Sequence, residues 1–186
     1  MEEYKEYKIE IKQEDYPPDP RKEFDHLGTI ISLHSRYALG EKHSFSSSAE
    51  ILSYLQDISA YWLPVYLYDH SGITIATKPY SCPWDSGQIG VIYVSKAKAI
   101  EAFGPRPRRK ALKCLESEIR EYDDYLTGNV YGYEIIGNDG EIVDSCGGYY
   151  GNPEESGLLQ AAKESIDYTI KNQLANEGIQ LSLAFN

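Results

Sequence analysis

A chain of 186 residues, 41% hydrophobic and 25% charged, is long enough to bury roughly two-thirds of its unfolded surface and too apolar for wholesale disorder. It contains no run of about 18 apolar residues, which excludes a membrane-spanning helix. The net charge of −11 disfavours direct contact with nucleic acid or an anionic membrane and favours a cationic protein partner.

The charge is unevenly placed. Residues 95–114 hold seven Lys/Arg against one acidic residue, whereas residues 115–186 hold three against fourteen. Cys82, Cys114 and Cys146 are odd in number and widely spaced, and no apolar signal segment precedes them. The expectation is reduced thiols in a cytoplasm. Tyrosine is abundant, at 17 residues against 4 Phe, and suits half-buried strand faces and contact surfaces.

Residues 4–13 alternate charged and apolar, with Tyr7, Ile9 and Ile11 on one side, and predict a half-exposed strand. The prolines of Asp15–Pro20 break it. Leu27–His34 reads as a second strand and Ser35–Ser47 as a loop. Serine caps followed by Ile51, Leu52, Leu55 and Ile58 predict a helix over Ser48–Tyr61. Leu63–Tyr68 and Ile73–Ala76 form a hairpin around Asp69-His70-Ser71-Gly72, and Ile89–Val94 reads as a central strand. Ser95 caps a helix over Lys96–Phe103, and a longer one spans Arg108–Leu126 with its charges opposed to the helix dipole. Asn129–Ile136 and Glu141–Ser145 flank the turn Gly137-Asn138-Asp139-Gly140. A loop over Gly147–Pro153 leads to a helix from Pro153 to about Asn176, stopped by Gly178, with Ile179–Phe185 as an edge strand.

The segments PRKEFDHLGTI, YLYDHSGITIATKPYSCPWDSGQIGVIYVS, YDDYLTGNVYGYEI and DSCGGYYG resemble a family of small acidic proteins from phages and other mobile elements that has no assigned function. The likeness spans roughly residues 20–151 and brings no catalytic residues with it. It implies a context in which small acidic proteins often inhibit host restriction or CRISPR nucleases. The fold expected is α+β: one domain over 1–186, mainly an antiparallel sheet with two to three packed helices. Within it, 1–25 supplies a strand and Pro-rich turn, 26–151 the core, and 152–186 a helix and tail.

Two sets of side chains carry chemistry. Cys82 with His70 or His34, oriented by Asp69 or Asp85 and joined by Cys146, holds the parts of a thiolate nucleophile. No hydrolase signature and no paired Cys or His spacing for zinc accompanies them, so the expectation is no catalytic residue, no metal and no cofactor. Taken one by one, these side chains read first as structural: Asp69, Ser71 and Asp85 cap turns, and Trp84 and Tyr80 cover one end of the sheet. The second set is Glu116, Glu118, Glu121, Asp123, Asp124, Asp139, Glu141, Asp144, Glu154 and Glu155. Helical carboxylates three or four apart stand about 5–6 Å from one another, comparable to the roughly 3.4 Å charge spacing along a DNA strand. Such a surface fits a cleft built for phosphates, although acidity also serves solubility.

The glycines at 87, 90, 147 and 148 lack the context of a phosphate loop, and the basic run Arg106–Lys113 has no interleaved aromatics. The resulting expectation is a non-enzymatic anti-CRISPR or antirestriction protein of the bacterial cytoplasm. Its partner is a CRISPR effector or restriction enzyme, its oligomeric state open between monomer and homodimer. The alternatives are a cysteine-dependent enzyme using Cys82 and His70, and a phage interaction module with no defence target.

Overall fold

The computed structural model describes residues 2–184. In chain order the elements are β1 (Glu2–Tyr4), β2 (Tyr7–Gln13), α1 (Pro20–Glu23), β3 (Thr29–Ser32), α2 (Ser48–Asp57), β4 (Tyr61–Asp69), β5 (Ile73–Ala76), β6 (Ser86–Val94), α3 (Lys96–Phe103), α4 (Arg108–Thr127), β7 (Val130–Ile136), β8 (Ile142–Tyr150) and α5 (Leu158–Ala184). This is an α+β fold with antiparallel strands, as the patterning implies. Its strands form two four-stranded sheets, and the chain divides into two compact units.

One unit joins the residues up to Pro17 to those from Gly128 onward. Its sheet has the order β1-β2-β7-β8. Alternation along β2 sends Ile9 into the core with Tyr133 and Ile135, and α5 closes that face with Leu158, Ala162 and Ile166. Residues 4–13 are not one strand, because Lys5 and Glu6 reverse the chain at φ 50° and 68° and place Tyr4 opposite Tyr7. Neither residue carries the turn preference of Asn or Gly, so the hairpin leaves no sequence signal.

Three further expectations in this unit are corrected. Strand β8 does not end at Ser145 but runs through Gly147 and Gly148 to Tyr150. Its ladder with β7 shifts register between Tyr131 and Tyr133, and Gly148 there adopts φ 80°. The Glu14 carboxylate accepts the Gly148 N–H at 2.5 Å, and a Cβ on Gly147 would collide with that carboxylate. The last helix begins at Leu158, not Pro153, because Asn152 first organises a turn. Its carbonyl accepts from Glu155 and Ser156, and its side chain from the Glu154 N–H. Finally, α5 passes through Gly178 to Ala184, so the Ile179–Phe185 segment is helical as far as it is described, and Phe185 lies outside the described residues. A glycine in a helix costs only about 1 kcal/mol against alanine, which a 27-residue helix tolerates.

The other unit, Pro18–Thr127, holds a sheet of order β3-β6-β4-β5. Strand β6 is interior, and from Ile89 to Val94 it is buried apart from the half-buried Tyr93, as that apolar run predicts. Helix α4 covers one face through Ala111, Leu115, Ile119 and Tyr122, against Val65, Leu67, Ile75 and Ile92. Helix α2 packs Ile51 and Leu55 onto Ile31 and Val91. Ser47 caps α2 by accepting the Glu50 N–H, while Glu50 reaches back to the Ser46 N–H at 2.8 Å. The helix ends at Asp57, four residues earlier than its pattern suggests, because Ser59 turns the chain at φ 50° into β4.

Candidate functional site

The hairpin β4–β5 and the segment leading into β6 bring the reactive cluster together. The Asp69 N–H donates to the Asp85 carbonyl at 2.8 Å, tying the two segments side by side. Asp85 Oδ2 then accepts from the Cys82 thiol at 3.5 Å and lies 3.5 Å from His70 Nδ1. The three residues named from the sequence therefore converge on one carboxylate oxygen. Their order is thiol, carboxylate, imidazole. A nucleophilic cysteine needs its base in hydrogen-bond reach of sulfur and the orienting acid behind that base. Here the acid stands in the middle.

The surroundings are aromatic and open. The Tyr68 ring lies between those of His70 and Tyr80, with centroids 5.9 and 5.5 Å away. His70 is 64% exposed in its side chain, and Trp84 is 92% exposed. Asp69 faces elsewhere, accepting from the Tyr37 hydroxyl at 3.0 Å and pairing with Arg36 at 3.2 Å. Burial and that contact with Asp69 push the Tyr37 hydroxyl up. His34 stacks on Tyr37 at 5.2 Å and accepts its N–H, so it serves this neighbouring loop. Cys146 belongs to the other unit, where it takes the Tyr149 hydroxyl at 3.8 Å. Among the described residues no group of three or more His, Cys, Asp or Glu is disposed to hold a metal ion. No helix there is long and apolar enough to cross a membrane.

The carboxylates of α4 divide into two kinds. Glu118 accepts the N–H groups of Leu27 and Gly28, at 2.7 and 3.0 Å, and pairs with Arg21 at 3.0 Å. Arg21 is 9% exposed in its side chain and Glu118 11%, and the guanidinium also pairs with Glu41 and donates to the Gly28 carbonyl at 2.8 Å. Asp123 accepts from the Thr74 hydroxyl at 2.6 Å and the Ile75 N–H at 2.7 Å, capping strand β5. Both carboxylates are consumed inside their own unit. Burial pushes Asp123 up, with those two hydrogen bonds acting against it.

Glu116, Glu121 and Asp124 are half-buried and make no ion pair among the described residues. Burial and then the charge of Glu118 push Glu121 up, while Arg21 opposes. Asp124 is pushed up to about 6, by burial first and then by Asp123, with Arg120 opposing and Glu121 reinforcing. In the other unit Asp144 fastens β8 to α5 by accepting from the Ser165 hydroxyl, and Asp139 accepts the Glu141 N–H at 3.1 Å within its turn. Glu141, Glu154 and Glu155 are exposed.

The structure also assembles a surface that the sequence hides. Arg108, at the start of α4, lines a cleft of about 440 Å³ together with Tyr61, Trp62 and Leu112. The aromatic residues come from β4, more than forty positions upstream, so the local spacing of the basic run gives no sign of them. Compared with protein-family models, curated proteins and solved structures, the chain matches none.

Proposed function

We propose that this is a non-enzymatic anti-defence protein of the bacterial cytoplasm, which binds a CRISPR effector or restriction complex and blocks its nucleic-acid cleft with carboxylates. The observation that carries the reading is the crowding of Glu121 and Asp124 beside Asp123 on the last turns of α4, with Asp124 pushed up to about 6 and, among the described residues, no Lys or Arg in ion-pair contact with Glu121 or Asp124. Negative charge at a helix C-terminus is also opposed by the helix dipole. A cationic partner relieves both costs. The exposed Asp139, Glu141, Glu154 and Glu155 add acidic surface in the other unit. The resemblance of the central motifs to mobile-element proteins supports an inhibitory context.

The test is a pull-down of purified CRISPR effector and restriction complexes with the full chain, repeated after reversing Glu116, Glu121 and Asp124 to Lys. Glu118 and Asp123 are left intact, because their loss would disturb the fold. Capture by the wild type and loss in the triple variant is the expected result. Undiminished capture by the variant removes the charge mechanism at α4, and capture of neither class of complex favours a phage interaction module with another target.

A second reading is favoured by the meeting of Cys82 and His70 at Asp85. In it the protein is a small cysteine-dependent enzyme acting on a host protein or nucleotide, and imidazole must exchange places with carboxylate for the thiol to ionise. A Cys82→Ala variant that keeps full biological effect eliminates it.

A further inference from the structure

We infer that β8 is a dimer interface, pairing antiparallel with the β8 of a second copy of this chain so that the β1-β2-β7-β8 sheets of the two copies run on as one. Among the described residues the fold has four edge strands, and it closes three of them itself. Strand β1 is three residues long and carries Glu2 and Glu3. On β3 the Ile30 N–H donates to the Glu41 carboxylate, and the Ile30 carbonyl accepts the Glu41 N–H at 3.0 Å. On β5 the Ile75 N–H is taken by Asp123 at 2.7 Å. Short length, charge and covering groups are the means by which an edge avoids pairing.

Strand β8 has little of this protection. It is nine residues long, IVDSCGGYY, without Lys, Arg or Pro, and six of the nine are exposed. Ile142 and Val143 are 58% and 41% exposed. The Ser145 N–H turns to the Asp144 carboxylate beside it, at 2.9 Å, a local closure that an incoming carbonyl can replace. The ladder with β7 is regular over Asp144, Ser145 and Cys146, in the middle of the strand, and its register shifts lie to either side. A long edge with exposed apolar side chains is a template for another strand.

The order of residues along β8 selects a second copy as that strand. Cys146 is the midpoint of β8, and an antiparallel pair of copies centred there sets Ile142 opposite Tyr150 and Val143 opposite Tyr149. Aliphatic and aromatic side chains placed opposite one another stabilise a sheet. Asp144 meets Gly148, where an added Cβ would find nothing within 4 Å, and Glu141 meets Gly151. In this register no carboxylate stands opposite another, although each copy carries a net charge of −11. The strand is therefore complementary to itself, which is what a two-fold interface requires.

The experiment is equilibrium sedimentation of the full chain from about 1 to about 100 µM, where a mass rising from one chain to two is expected. Val143→Lys puts a charge on the exposed edge without touching the core, and is expected to weaken dimerisation roughly tenfold or more. The register is read in a Cys82→Ser, Cys114→Ser background that leaves Cys146 as the one thiol. Diamide, which takes two electrons and two protons from a pair of thiols, is expected to link the copies there. With Cys146→Ser and Ser145→Cys in the same background the link should form at least roughly tenfold more slowly, because position 145 then faces Gly147 of the second copy and the two cysteines stand beyond disulfide reach. A single chain at every concentration overturns the inference. So does a dimer that the Val143→Lys protein forms as tightly, or one in which cysteines at 145 and 146 link equally fast.

Discussion

Arg21 shows how far a side chain's role can lie from its place in the sequence. Its partner Glu118 is 97 positions away, and together with Glu41 it pins the segment from Leu27 to Ile30 onto α4. Removing one partner from a largely buried pair leaves an uncompensated charge, so Arg21→Met is expected to cost about 3–5 kcal/mol in urea unfolding. Glu118→Gln is expected to cost less, because its amide oxygen can still accept the Leu27 N–H. Asp124 behaves in the opposite sense. Its folded pKa is about 6, raised from 3.8, so the folded state holds the proton more tightly than the unfolded chain. Stability from this group is present below pH 4 and is lost as pH rises from about 4 to about 6. Discounted for solvent screening, Asp124→Asn is expected to raise stability at pH 7 by about 1 kcal/mol and leave it unchanged near pH 3. Urea midpoints across that pH range read the difference. A midpoint that moves equally at both ends places the gain outside the titration of Asp124.

Elements were legible where local chemistry alone decides them. The Ser95 cap and the Gly104 stop give α3 the bounds its sequence implies, because the whole signal lies within ten residues. Hairpin β4–β5 turns where Ser71 and Gly72 allow positive φ. The end of β8, by contrast, needed a distant partner. Gly147 and Gly148 look like loop residues until Glu14, just past β2, occupies the space beside Gly147 and the Gly148 N–H finds its carboxylate. A Gly148→Ala variant would place a Cβ at φ 80°, and a cost of about 1–2 kcal/mol is expected in thermal or urea unfolding. Hydrogen exchange should quicken along β8. Similarly, Asp123→Ala leaves the Ile75 N–H without its acceptor, and a loss of about 1–3 kcal/mol is expected, with fraying confined to β5. Of the candidate site, the identities of His70, Cys82 and Asp85 were readable and their order was not. Register sets that order, and register is a property of paired strands.

At the scale of the whole molecule the charge layout poses the functional question. The two sets of available carboxylates, Glu116, Glu121 and Asp124 in one unit and Asp139, Glu141, Glu154 and Glu155 in the other, can be reversed separately without touching Glu118, Asp123 or Asp144. If acidity serves only solubility, each reversal changes colloidal behaviour and leaves partner capture alone. If one set lies in the contact, its reversal is expected to weaken binding by tenfold or more, while the other alters mainly the association rate and its salt dependence. The pH profile then identifies the α4 set. A cationic partner pulls the Asp124 pKa down from about 6, so binding releases a proton, and affinity is expected to fall as the medium is taken from pH 7.5 to 5.5. Asp124→Asn should reduce that slope, and Asp124→Asn with Glu121→Gln should abolish it. A slope that survives both substitutions moves the contact away from the end of α4.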